Sequence, residues 1–564
     1  MMHESRVETA SRARPSRHYS STAGALLLTA LLLWAVAYPN AAVVAGSFAK
    51  GLDYWRTFAA SPADREALWT SLWISVVSVI AACVIGVPLA FLLTRRAFLG
   101  RRVLQAVATL PAALPPLVGV VAFLFLYGES GVVTRTAQAV LHLDTPPWTL
   151  SGAWAIVFVH AYTLYVYVYL FVSAGLERYD GTLDEAAAGL GASTLRRLVR
   201  VTLPMLTPAL VGSMLLVFMS SLGSFSAPYV FGGGLRVLAT QIVATRLNGA
   251  LGVSYVETTV LAVSAVAALV VLRWLEGRRR YVSAGKGATA ARMRLRSPVA
   301  RAAAPLAATF IVLILVLPHA MVVLVSFARN GAWTTQVLPP EYTLDNFRRL
   351  MTDPELWRPV GNSVAMAAIA TAADVIICAA AAWLIVLRRF PGRWLLATLV
   401  ALPWAIPGTA IAIGLASTFN RTDLFTLRLL LVGTFWILPL AYFVRGIPLV
   451  ASATEGSLRQ MDPSLEDAAR GLGAGWWMVL RRVTIPAARP GLVAGATLAA
   501  IMAVGEFVAS VVLYTHANRP ISIDILSQLR AFDFGTAAAE STLLICLVLI
   551  ITLVARVPPR APVT

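Results

Sequence analysis

Stretches of about 20 apolar residues recur twelve times along this chain, and that is the length one α-helix needs to cross a hydrocarbon core. They fall near 25–47, 68–94, 103–127, 152–176, 205–231 and 253–274, then near 303–327, 361–387, 394–417, 427–449, 488–514 and 540–557. Backbone polar groups find no water inside a bilayer, so each segment is expected to be a helix that closes its hydrogen bonds within itself. Composition points the same way: 58% of the 564 residues are hydrophobic, 13% are charged, and the mean hydropathy is +0.75. These values exclude an ordinary soluble domain. The expected fold is an all-α membrane protein with about 12 transmembrane helices.

The net charge of +19 is carried mainly by arginines clustered between the apolar segments, which suits membrane-protein loops better than a nucleic-acid surface. With a cytoplasmic N-terminus, 32 of the 46 Lys and Arg fall on the inner side of a twelve-span layout. That asymmetry puts both termini in the cytoplasm. Arg6, Arg12, Arg14 and Arg17 before an apolar run imitate a signal peptide. The run resumes after Asn40 and is long enough to span, so it reads as a retained helix. Cys83, Cys378 and Cys546 lie inside apolar stretches and have no metal-ligand spacing. No cofactor or metal is expected.

The chain repeats itself. Leu110, Pro111 and Pro115 match Leu402, Pro403 and Pro407 at an offset of 292, as Gly100 matches Gly392. Further along the offset is 282, and Gly189-Leu190-Gly191, Pro204, Pro208 and Phe225 match Gly471-Leu472-Gly473, Pro486, Pro490 and Phe507. An even number of spans per copy makes two parallel six-helix repeats, with a pathway expected between them. The division is a tail at 1–24, a first repeat at 25–274, a basic cytoplasmic linker at 275–302, a second repeat at 303–557 and a tail at 558–564.

One segment occurs in both copies on the cytoplasmic side. The first copy runs from Leu183-Asp184-Glu185-Ala186-Ala187 through Gly191 to Val201-Thr202-Leu203-Pro204. The second runs from Leu465-Glu466-Asp467-Ala468-Ala469 through Gly473 to Val483-Thr484-Ile485-Pro486. Both resemble the Glu-Ala-Ala loop of binding-protein-dependent ABC importer permeases of type I. The resemblance implies a short helix pair that docks on an ATPase subunit. Glu185, Ala186, Ala187, Gly191 and Pro204, with Asp467, Ala468, Ala469, Gly473 and Pro486, are then the coupling residues. Asp467 stands where the first copy has Glu185, one methylene shorter. Thr182-x-x-Glu185 also forms a capping box and Ser464-x-x-Asp467 resembles one, so capping and docking can coexist.

The nearest approach to a phosphate-binding loop, Gly285-Lys286-Gly287, lacks the hydroxyl residue and the upstream glycine. The chain is therefore read as a permease subunit and not an enzyme. The family implies two copies of a separate ABC ATPase subunit, a periplasmic or lipid-anchored solute-binding protein, membrane lipids around the spans and no nucleic acid. Ionisable groups inside spans are costly and usually face a cavity or a partner. Asp374 and Glu506, with Ser221, Ser224 and Ser226, are candidates to line the pathway or to bond between helices, and His160 reads as structural. Pro111, Pro115, Pro403 and Pro407 are placed to kink the third span of each half. Fused permeases of this kind resemble ferric-iron, thiamine and aminoethylphosphonate systems, and 225–228 with 236–241 resemble the ferric ones most. A secondary transporter of two six-span halves is the alternative, but it leaves the paired acidic-Ala-Ala segments unexplained.

The layout is directly testable. A reporter fused after Arg280 is expected to score as cytoplasmic and one near Asp345 as periplasmic; finding both on one side rejects the twelve-span layout.

Overall fold

The computed structural model describes residues 18–113, 115–178, 181–277, 293–294, 297–333, 336–388, 390–423, 425–462 and 464–555. Arg278, Arg279 and Arg280 of the linker, most of the N-terminal tail, the C-terminal tail and Arg389 lie outside these. Among the described residues ten helices are long and apolar enough to cross a membrane, and counting each of two bent pairs as one span raises the number to twelve. The first half has Ala23–Ser47, Pro62–Arg95, Pro116–Val140, Gly152–Glu177, the pair Thr194–Met205 with Thr207–Leu222, and Leu251–Leu272. The second has Arg301–Ser326, Pro354–Leu387, the pair Arg393–Ala405 with Gly408–Thr418, Ile437–Arg459, Trp476–Val504 and Phe534–Ala555. We number these as spans one to twelve. Among the described residues the sole sheet is a two-residue parallel pairing of Arg96–Ala97 with Met293–Arg294.

Two spans depart from the sequence reading. The third, expected over 103–127 with a kink at Pro111 and Pro115, is broken outright into Arg101–Ala108, Leu110–Ala113 and Pro116–Tyr127. Pro111, Pro115 and Pro116 lack the N–H that helix propagation needs and restrict the residue before them. The repeat-equivalent ninth span bends by 111° at Pro407. The tenth begins at Ile437 instead of near 427. Its apolar lead-in is folded into a connection, where Thr426 N–H donates to Asp423 Oδ1 at 2.7 Å and Leu431 N–H donates to Phe419 O at 3.1 Å. The shift moves Arg445 from the end of the expected 427–449 span into the first half of Ile437–Arg459.

The halves interlock through their first spans. Tyr38–Ser47 packs along Gly408–Thr418 of the other half, and the seventh span packs along Pro116–Tyr127. Gly414 makes the first crossing close, since a Cβ there would lie 3.1 Å from Pro39 O. Trp34 adds an edge-to-face contact with Phe419 at 5.1 Å and donates Nε1–H to Phe425 O at 3.0 Å. The largest apolar cluster therefore draws buried residues from both halves, from Leu32 and Leu117 to Phe419 and Leu544.

In the second half, the fourth and fifth spans pack hardest, where small residues admit a neighbouring backbone. On the eleventh span, Gly491 abuts Ala453 O and Ser457 Oγ of the tenth, and a Cβ on Gly495 would lie 2.7 Å from Val450 Cα. This four-residue spacing of small residues lets helices approach closely, which matters because lipid offers no hydrophobic force between them. Gly491→Val or Gly495→Val is expected to cost about 1–3 kcal/mol by overpacking. Gly456→Ala in the same helix pair meets nothing within 4 Å and is expected to be neutral. Melting temperatures of the purified variants check this ordering.

Candidate functional site

Two regions bring the sequence-selected residues together. The first is a pair of short helices at the end that the charge count assigns to the cytoplasm, Thr182–Gly189 and Ser464–Gly471. Each ends in the same way. Gly191 N–H donates to Ala188 O at 3.0 Å and Ala192 N–H to Ala187 O at 3.0 Å; Gly473 N–H donates to Arg470 O at 2.9 Å and Ala474 N–H to Ala469 O at 3.0 Å. This is the Schellman closure, which requires a left-handed residue after the helix. Gly191 and Gly473 supply it with φ of +78° and +83°.

The closures turn the same face outward in both copies. Glu185 and Ala186, like Asp467 and Ala468, are exposed, while Ala187 and Ala469 are half-buried. Leu190 and Leu472 project beside them at 89% and 90% exposure. The caps differ from the sequence expectation. The first helix begins at Thr182 with Gly181 as its cap residue, and the second is capped by Asp462, whose Oδ1 accepts from Ser464 N–H at 2.9 Å. That bond holds the Asp462 carboxyl below its ordinary range.

The acids that fix these helices are the neighbours of the selected ones. Glu466 is 5% exposed; its Oε2 accepts from Arg470 at 2.8 Å and Arg388 at 3.3 Å, and its Oε1 accepts from Thr484 Oγ1 at 2.9 Å. Its equivalent, Asp184, pairs with Arg197 at 3.2 Å and lies 3.9 Å from Arg95. Each acid thereby ties the short helix to the end of the second or eighth span. The signal was present in the sequence as an acidic residue before Glu185 and Asp467 with arginines in the adjoining loop, but which of two adjacent acids turns inward depends on helix phase.

After each hairpin the chain enters the bundle through a five-residue π-turn, Leu198–Thr202 and Leu480–Thr484. Leu203 N–H reaches Leu198 O and Ile485 N–H reaches Leu480 O. Pro204 and Pro486 follow directly, and a widened turn absorbs the carbonyl that a proline cannot satisfy. From there the halves diverge: the fifth span bends by 69° near Leu206, while the eleventh runs unbroken to Val504.

The second region is the seam between the halves. A side chain at Gly505 would overlap the Pro115 ring of the other half, and one at Gly223 would lie 3.4 Å from Pro407 Cβ. These contacts are repeat equivalents of each other. Phe225 and Phe507, also equivalents, touch each other with ring centroids 5.9 Å apart, and both are buried. Contact between equivalent residues marks the local two-fold axis.

Polar groups flank the phenylalanines unequally. Ser224 Oγ lies 2.9 Å from His160 Nε2, and Ser78 and Ser221 lie 3.1 Å and 3.0 Å from His160 Nδ1. Glu506, the equivalent of Ser224, pairs with Arg445 and accepts from Ala509 N–H at 2.8 Å. Gly408 leaves room for that guanidinium, since a Cβ there would lie 2.8 Å from Nη1. Ser226 opens the buried helix Ser226–Phe231 after Phe225. Asp374 is not brought to these residues by any of its contacts: its carboxyl abuts Gly446 of the tenth span and lies 3.9 Å from Cys378 Sγ. Sequence reading missed Arg445 and the partners of His160, because both depend on contacts between different spans. Among the described residues no group of three or more His, Cys, Asp or Glu is placed to hold a metal.

Known proteins agree with this architecture. The family model described as "Binding-protein-dependent transport system inner membrane component" matches twice, over 82–281 and 374–560. The two matches begin 292 residues apart, which is the repeat offset. A "Probable ABC transporter permease protein" of Sinorhizobium fredii is 30% identical over 91% of this chain and 90% of its own. A "Ferric transport system permease protein" of Actinobacillus pleuropneumoniae is 26% identical over 94% of this chain and 77% of its own. An "Fe(3+)-transport system permease protein" of Haemophilus influenzae is 23% identical over 86% and 88%. With both halves matched and helices long enough to span the membrane throughout, the chain belongs to the binding-protein-dependent transport system inner membrane components, as a multi-pass ABC transporter permease with two fused repeats.

Proposed function

We propose that this permease forms the pathway of an ATP-driven importer for ferric iron, with a separate ATPase gripping the two cytoplasmic hairpins and a binding protein delivering substrate to the outer face. The observation that carries the reading is the matched pair of hairpins, each presenting an exposed acid and alanine with a half-buried second alanine beside them, and each clamped to a neighbouring span by an acid, half-buried Asp184 or buried Glu466. A partner that draws the hairpins together acts on rigid handles. Movement enters the fifth and eleventh spans through the π-turns and reaches the seam at Phe225 and Phe507. Glu185, Ala186, Ala187 and Asp467, Ala468, Ala469 are the docking surface, and Gly191 and Gly473 set its angle. Ser221, Ser224, Ser226 and Glu506 flank the closed seam, and Asp374 takes a helix-bonding role.

Ferric iron is supported by two relatives whose names specify ferric transport, both matched along most of their length. In this reading both termini are cytoplasmic and 275–302 tethers repeats that other systems keep on separate chains. ATP hydrolysis belongs to the partner. The purified chain alone is expected to show no ATPase activity and to acquire it on adding the partner subunit. Reconstituted with both partners, it is expected to accumulate labelled ferric iron in proportion to ATP consumed; uptake of a different solute only would overturn the substrate, and uptake driven by an ion gradient would overturn the class.

The clamps give a sharper expectation. Glu466→Gln or Asp184→Asn removes a charge-assisted anchor worth on the order of 1–3 kcal/mol, and Gly191→Val or Gly473→Val strains the closure by about 1–2 kcal/mol. All four are expected to accumulate in the membrane while transport per ATP falls. Normal uptake in an Asp184→Asn, Glu466→Gln double variant would show that the hairpins do not transmit force.

A further inference from the structure

The seam residues of the fifth and eleventh spans lie on chain that is not helical. In the first half, Gly223 to Phe225 interrupt the path between Thr207–Leu222 and Ser226–Phe231. In the second, Gly505 to Ala509 interrupt it between Ile485–Val504 and Ser510–Leu513. These two breaks carry Gly223 with Phe225 and Gly505 with Phe507, which make the seam. A break within a membrane protein loses the helix ladder that would hold it, so other groups must satisfy and place its backbone.

In both halves a side chain reaches the break from one repeat position of the fourth or tenth span. His160 and Tyr442 stand 282 residues apart, the offset that pairs Pro204 with Pro486 and Ser224 with Glu506. Packing follows the same register, since Gly175 abuts Ala209 where their equivalents, Ser457 and Gly491, abut each other. His160 and Tyr442 are both 3% exposed.

His160 works through hydroxyls. Its Nε2 lies 2.9 Å from Ser224 Oγ in the break, and its Nδ1 lies 3.0 Å from Ser221 Oγ on the fifth span and 3.1 Å from Ser78 Oγ on the second. A hydroxyl donates or accepts as needed, so these partners suit a neutral imidazole in either tautomer. One ring thereby joins three segments at the residue before Phe225. Tyr442 reaches the equivalent residue by a relay. Ser510 Oγ donates to Glu506 O at 2.7 Å, so with that hydrogen committed the phenol, 2.8 Å away, donates to Ser510. Ser522 Oγ donates to the same carbonyl at 2.6 Å, and Glu506 Oε1 accepts from Ala509 N–H at 2.8 Å. Arg445, on the same span as Tyr442, pairs with the Glu506 carboxylate.

We propose that His160 and Tyr442 are positioning residues of the pathway, each holding the break of its own half in the shape that seats Phe225 or Phe507 and closes the seam. This rests on the seam being the closure of the pathway. The two latches are unequal. The printed partners of His160 are hydroxyls, which can turn to other groups as the chain moves, whereas Tyr442 is backed by the Arg445–Glu506 pair, and separating a buried ion pair is far costlier. The fifth span also bends by 69° before its break, where the eleventh runs unbroken to Val504. The seam therefore opens from the first half, with Ser224 leaving His160 while Glu506 stays bound.

Thiol reactivity of the full-length protein in lipid, with neither ATPase nor binding protein present, tests this. Ala227 and Ala509 are repeat equivalents and both are buried. With Cys83 and Cys546 replaced, Ala227→Cys or Ala509→Cys is reacted with a small maleimide and each labelled peptide is quantified, Cys378 of the eighth span serving as the buried internal standard. His160→Leu is expected to speed reaction at position 227 by about tenfold or more, and Tyr442→Phe to speed it at 509 by only about two- to fivefold because the ion pair persists. His160→Gln keeps a donor and an acceptor and is expected to restore the slow rate, while Cys378 reacts at its wild-type rate throughout. Ser224→Ala and Ser510→Ala cut the same contacts from the other end and serve where a span variant does not accumulate. Unchanged rates at 227 and 509, a rise matched by Cys378 as general loosening would give, or a larger response in the second half would overturn the proposal. A failure of the importer reading appears in uptake and leaves these rates untouched.

Discussion

The structure depends on a contact that only glycine permits. At the seam, Gly505 accepts the Pro115 ring and Gly223 faces Pro407, so the bend of the third or ninth span in one half lodges against the fifth or eleventh span of the other. The prolines bend one element, and Gly505 makes room for it. Phe225 and Phe507 close the axis between these contacts. Because the first and seventh spans also cross to the opposite half, neither repeat completes its packing alone. Two close-packed surfaces that interdigitate in this way have a few discrete arrangements and do not deform continuously. That is a suitable basis for a pathway that must be either shut or open.

Symmetry is strict where a partner would bind and relaxed where a solute would pass. The hairpins agree down to their closing hydrogen bonds and the π-turns that follow. Around the phenylalanines, one side carries His160 among three serines and the other an Arg445–Glu506 ion pair. The bend near Leu206 likewise has no counterpart in the eleventh span. Under the proposed reading, two like partners push on like handles while the repeats respond differently. An unequal lining also suits a solute without two-fold symmetry.

Span number, repeat and hairpin position were legible in the sequence because each rests on local pattern: apolar length, offset identity, and glycine at a closing turn. Gly191 and Gly473 have the left-handed conformation that their place after an alanine-rich helix suggests. What escaped depends on which residues meet across the bundle. Arg445 looked like a residue at the end of its span because the apolar run at 427–432 imitates the start of one. Asp184 and Glu466 were passed over in favour of their exposed neighbours, since helix phase decides which acid turns inward. The match of Gly505 to Pro115 leaves no trace in either segment alone; only the repeat, which pairs Gly223 with Gly505 and Pro115 with Pro407, makes it intelligible afterwards.

The central claim is that the pathway opens by parting Phe225 from Phe507. With Cys83, Cys378 and Cys546 replaced, a Phe225→Cys, Phe507→Cys protein reconstituted with its ATPase and binding protein allows the two positions to be joined by a short thiol cross-linker. The account predicts that cross-linking stops uptake while ATPase association persists, and that a reducible linker restores uptake once cleaved. Uptake at the uncross-linked rate with the two positions joined would contradict it.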